Sequence, residues 1–125
     1  MRRVLGFLMA ANAALFFLGA VQHVGITIGP LQEPRIIPAA LVETLCGLFL
    51  AWGAAVVLRQ SESWIAWTAN CVAIAGVLLG MAALAMGRGP RTASNDVSHR
   101  FMLALAAASL LILFVGKTAL NRSHR

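Results

Sequence analysis

Two residues of this chain could do chemistry from positions where the sequence offers them no water. His23 lies near the end of the first long apolar run, and Glu43 lies inside the second. An ionisable group within a membrane span is costly, so each one marks a candidate site by default. An imidazole beside a carboxylate can pass a proton or bind a polar head group such as a quinone carbonyl, and the two titrate as one coupled unit. The same pair serves equally well as a buried polar contact that fixes helix packing. Gln22, Thr44, Thr27 and the loop pair Glu33 and Arg35 lie near enough in sequence to extend a polar cluster around them.

The elements that must position this pair follow from the apolar runs. Four are long enough, at about 20 residues, to cross a bilayer as helices. They cover Val4 to about Ile28, Ile36 to Leu58, Trp64 to Gly87, and about Phe101 to Leu120. The stretches between them, 29–35, 59–63 and 88–100, hold the prolines, charges and small polar residues of water-exposed turns, and Ser94, Asn95 or Asp96 is placed to cap the fourth helix. The expected fold is all-α: a four-transmembrane-helix bundle, up-down and antiparallel, forming a single transmembrane domain over residues 1–125. The first connection is short, so the first two helices are antiparallel neighbours. At a rise of 1.5 Å per residue, His23 is about 8 Å from its helix end and Glu43 about 10 Å into the next. The two side chains therefore meet at one depth. Arg2-Arg3 before an apolar run resembles the opening of a signal peptide, but the run is too long and lacks a small-x-small cleavage site. The first span is expected to be retained.

Composition supports this class. Of the 125 residues, 60% are hydrophobic and 11% charged, with mean hydropathy +0.83. A soluble domain carries about 25% charge, so the bilayer is the expected surroundings. The net charge of +6 does not argue for nucleic acid, because the basic residues flank the apolar runs instead of clustering. Six of them (Arg2, Arg3, Arg59, Lys117, Arg122, Arg125) share the side of the termini and four (Arg35, Arg88, Arg91, Arg100) the other. That bias places both termini in the cytoplasm, in what is expected to be a bacterial cytoplasmic membrane, with Lys117 snorkelling to the interface and Trp64 and Trp67 as interfacial anchors. Cys46 and Cys71 sit in apolar runs without a CxxC motif and read as small buried hydrophobes.

Helices in lipid associate through close packing and occasional polar contacts. Gly76, Gly80, Ala83 and Gly87 form the expected seam on the third helix, with Gly47, Ala51 and Ala55 on the second and Ala104 and Ala108 on the fourth. Asn12 and Asn70 lie at similar depth and can bond to each other across helices. These seams serve intramolecular packing or an oligomer. No metal cluster is expected. His23 and His99 are the only pair that could face a haem, and nothing else marks a haem site.

The segment His23 to Ala54, with Pro38-Ala39-Ala40-Leu41-Val42-Glu43-Thr44-Leu45-Cys46-Gly47-Leu48 at its centre, resembles the DoxX-like group of small four-helix membrane proteins. The resemblance implies an accessory membrane protein, in some members linked to quinone, thiosulfate or thiol redox chemistry, and carries over Glu43 and His23. Three functions are therefore expected. The first is an accessory or structural subunit of a larger membrane assembly, without enzymatic activity of its own. The second is a redox- or quinone-linked protein using His23 and Glu43. The third is a small oligomeric transporter or channel, for which Asn12, Asn70 and Thr68 give only a sparse polar path.

Overall fold

A computed structural model describes residues 1–28, 33–59 and 63–123, and the side chains of 63 and 117–123 are outside that description. The expected place of Lys117 at the interface lies outside the described side chains. Among the described residues the fold is four helices with no strand: α1 (Arg2–His23), α2 (Ile37–Arg59), α3 (Ser63–Ala85) and α4 (Ala93–Ser123). α1 packs on α2, α2 on α3, α3 on α4 and α4 back on α1, which closes an up-down bundle. Each helix contains a stretch of 22 to 24 residues apolar enough to span a bilayer. That is about 33 to 36 Å at 1.5 Å per residue, slightly more than a hydrocarbon core of about 30 Å.

The helices are apolar all round, so hydropathy alone cannot say which face is inward. Residue size and spacing can. The buried positions of α2 include Ala40, Glu43, Gly47, Leu50, Ala54 and Val57, and those of α4 include Asn95, His99, Met102, Ala106, Ser109 and Leu113. Both stripes alternate spacings of three and four, the 3.5-residue period of a left-handed bundle. α1 repeats it with Met9, Ala13, Phe16, Ala20 and His23, and α3 with Ala66, Asn70, Ala73 and Val77. The interior mixes small and polar side chains with a few large apolar ones such as Met9, Phe16, Leu50 and Met102, while Phe7, Leu41, Leu45, Trp52, Leu111 and Phe114 point outward. Water would expel such a surface and lipid would solvate it. The chain is a small integral membrane protein.

This period corrects part of the expected seam. Ala51, Ala55 and Ala104 face outward, because a strict four-residue spacing drifts off the 3.5-residue stripe; Gly53, Ala54 and Ala106 are inward instead. Gly53 lets Met9 and Ala69 approach so closely that a Cβ there would fall 2.6 Å from the Met9 Cε.

Helix ends also differ from expectation. α1 stops at His23 rather than near Ile28, and α3 stops at Ala85 rather than Gly87. Gly25 (φ 100°) and Gly87 (φ 72°) adopt the left-handed conformation. At the first, Ile26 N–H bonds Val21 O and Gly25 N–H bonds Gln22 O; at the second, Arg88 N–H bonds Ala83 O and Gly87 N–H bonds Leu84 O. Both are Schellman closures, which use the spare carbonyls of the last turn. Gly87 is thus a helix stop and not a packing residue; a Cβ there would meet nothing within 4 Å. α4 begins at Ala93, well before the expected Phe101. Its cap is Thr92, whose Oγ1 accepts the Asn95 N–H at 3.1 Å, and not Ser94, Asn95 or Asp96. At the opposite end of the bundle, Arg2 donates to the Leu58 carbonyl at 3.0 Å, a cation at the negative end of α2.

Candidate functional site

The α1–α2 and α3–α4 connections lie at one end of the bundle, called here the two-loop end. The polar interior residues near that end come from three helices. His23 closes the buried stripe of α1, Glu43 is one turn into the stripe of α2, and Asn95 and His99 open the stripe of α4. All four are buried.

His23 and Glu43 meet as their spacing requires. The His23 Nε2 lies 3.7 Å from the Glu43 Oε1, an ion-pair distance longer than a hydrogen bond. The other ring nitrogen, Nδ1, is 3.2 Å from the Pro34 carbonyl. A carbonyl only accepts, so Nδ1 carries a proton and Nε2 faces the carboxyl. The Ile36 N–H in turn bonds the His23 carbonyl at 2.9 Å. The extended segment before α2 therefore holds the histidine at both its backbone and its ring.

Glu43 is accommodated by a residue the sequence did not single out. A Cβ on Gly19 would stand 2.7 Å from the Glu43 Oε1, so the missing side chain of α1 makes the seat for the carboxyl of α2. Only one carboxyl oxygen faces His23; Glu43 Oε2 is buried without a hydrogen-bond partner. His99 Nδ1 is likewise buried and unpaired. An unpaired buried polar atom is uncommon in a finished fold and invites a ligand or an ordered water.

Both residues face a cavity of about 410 Å³ at the two-loop end, bounded also by Phe16, Val77, Gly80 and Asn95. Small-molecule sites span roughly 300–1,000 Å³ and combine apolar walls with a few polar groups. Gly76 and Gly80 serve this space as much as helix packing. Gly76 lies against Cys46 Sγ of α2, whereas a Cβ on Gly80 would be 3.4 Å from His99 Nε2 of α4. Ala83 lines the same wall.

The remaining expected members fall elsewhere. Thr44 does not line the cavity, because its hydroxyl donates to the Ala40 carbonyl of its own helix at 2.7 Å. Gln22 is buried with Nε2 unpaired but faces another side of α1, and Thr27 is exposed. Glu33 accepts from the Thr92 hydroxyl with both oxygens, at 2.8 and 2.7 Å, which ties the α1–α2 connection to the α4 cap. Arg35 is exposed, and its stem packs over Gly25.

Asn12 and Asn70 do not bond to each other. Asn12 donates to the Met102 carbonyl of α4 at 3.2 Å, Asn70 donates to Ala66 on its own helix at 2.8 Å, and both Oδ1 atoms are unpaired. The first is a link between helices; the second is not. Cys46 is buried and Cys71 exposed, so only the first is the small buried hydrophobe expected. Among the described residues, no three His, Cys, Asp or Glu side chains are grouped to hold a metal ion.

The sequence missed Gly19, and it named His99 only as a haem-facing partner of His23, not as a wall of a site with Glu43. The signal for His99 was present in its 3.5-residue register with Met102, Ala106, Ser109 and Leu113, two residues before the apolar run begins. No protein-family model, curated protein or solved structure matches this chain.

Proposed function

We propose that the protein is a membrane-embedded binding protein for a small lipophilic molecule with an oxygen-bearing head, of the quinone type. The observation that supports this most is the cavity itself. It brings a His23–Glu43 pair and His99 to one space, with Glu43 Oε2 and His99 Nδ1 both lacking partners. A quinone couple fits that set, since its carbonyl would accept from a protonated His99 Nδ1 or Glu43 carboxyl and its quinol hydroxyl would donate to the Glu43 carboxylate. Bound there it would supply two-electron, two-proton redox chemistry. The chain's own contribution is narrower. Glu43 and His99 orient the head, and His23, with Nε2 3.7 Å from Glu43 Oε1, is placed to exchange a proton with the carboxyl once the pair closes to hydrogen-bond distance. The resemblance to DoxX-like proteins points the same way, and the basic-residue bias favours a two-loop end outside the cytoplasm.

Thermal unfolding in mild detergent tests this reading. Decylubiquinone at about a hundred times its dissociation constant should stabilise the folded state by about 2.7 kcal/mol, a rise of several degrees in the midpoint. Glu43→Gln and His23→Ala should unfold cooperatively and lose most of the rise. An equal rise in all three, or none in the wild type, removes the quinone assignment.

A further inference from the structure

The cavity opens at the side of the bundle. Toward the aqueous end, Ile36 of the α1–α2 connection roofs part of the cavity and packs against Gly89 of the α3–α4 connection, where a Cβ would touch Ile36 and Leu84 at 3.4 and 3.3 Å. The Glu33–Thr92 and His23–Pro34 bonds hold that roof in place. At the side, the lining includes Pro38 of α2 and Leu79 of α3, both exposed on the outer surface of the bundle; Leu79 is 60% exposed. A residue that belongs both to a cavity wall and to the lipid-facing surface marks a mouth. This mouth lies between α2 and α3, in the leaflet at the two-loop end. Arg88, exposed and just past the end of α3, stands at its upper edge.

We propose that the ligand reaches the site sideways from the bilayer, between α2 and α3, as an amphiphile whose head stays inside while its apolar tail remains in lipid past Leu79. This rests on the binding reading above and names its route and ligand class. The apolar walls of the mouth around Pro38 and Leu79 disfavour a hydrated cation, which Arg88 at the edge also repels, because stripping its water would not be repaid there. An uncharged head with a hydroxyl or carbonyl loses little on the way in and meets Glu43 Oε2 and His99 Nδ1 at the far wall.

Cysteine labelling in reconstituted vesicles tests the route. Ala83→Cys, and independently Ala39→Cys, place a thiol on opposite walls of the cavity in a chain carrying Cys46→Ala and Cys71→Ala. Lipid-partitioning N-cyclohexylmaleimide should label both, and a charged trimethylammonium methanethiosulfonate should label neither from either side. Leu79→Trp should slow the first reaction about tenfold, whereas Leu78→Trp, equally lipid-exposed but outside the cavity, should not. Labelling by the charged reagent, or no effect of Leu79→Trp, overturns the lateral route.

Ligand protection then tests the class. Decylubiquinone should protect the thiol and its tail-less benzoquinone counterpart should not; equal protection by both overturns the amphiphile assignment. Protection by decanol to the same degree supports an amphiphile but identifies an alcohol head in place of a quinone. Glu43→Gln should label at the parent rate yet lose protection. If it keeps protection, the binding role of Glu43 fails while the route stands.

Discussion

At the scale of single residues, the site depends on what is missing as much as on what is present. Gly19 has no side chain where the Glu43 carboxyl lies. Replacing a helical glycine by alanine ordinarily stabilises by about 0.5–1 kcal/mol. Gly19→Ala should instead force the carboxyl to move, at a cost of about 1–3 kcal/mol for overpacking, and weaken ligand binding together with stability. Chemical or thermal unfolding measures the first, and the quinone-induced midpoint shift the second. Stabilisation with unchanged binding would show that Glu43 is not seated there. His23 and Glu43 were legible because charge in an apolar run is conspicuous and a short connection fixes their depth. Gly19 was not legible, because its role is defined only by a residue on the neighbouring helix. Thr44 was misplaced for a local reason: a helical threonine can bond the carbonyl one turn back and so satisfies itself on its own helix.

At the scale of helices, the boundaries show what hydropathy measures. It reports solvation by lipid, not the backbone. α1 ends five residues early because Gly25 turns left-handed, and α4 starts early because Thr92 caps a polar turn that still faces the interior with Asn95 and His99. Thr92→Val should therefore lose the cap, at about 0.5–2 kcal/mol, and also leave the Glu33 carboxyl without its donor; Thr92→Ser should lie close to wild type. Hydrogen exchange at Asn95 and Asp96 would locate the loss, and uniform protection in both variants would refute the capping role. Gly87→Ala offers a cleaner case, since no neighbour would be touched. Its cost of about 1–2 kcal/mol is the left-handed conformation alone.

At the scale of the whole molecule, four helices, their short connections and their membrane environment were plain from composition and run length. The inward faces were not, because every face is apolar and the seams of α2 and α4 were read at a four-residue period. The 3.5-residue stripe makes a direct prediction. Ala106→Leu, at a buried position of α4, should destabilise by about 1–3 kcal/mol, while Ala104→Leu, two residues away and facing outward, should be neutral. Equal effects would contradict the register that brings His99 into the cavity.

The central claim, that this bundle holds a small amphiphile against Glu43, is tested most directly by native mass spectrometry of protein extracted gently from its membrane. The account predicts 13.2 kDa or a multiple of it, plus a discrete mass of small-molecule size that disappears in Glu43→Gln and persists in Leu78→Trp. A wild-type chain that carries only other protein subunits, or an added mass that Glu43→Gln retains, would contradict it and favour a structural subunit of a larger assembly.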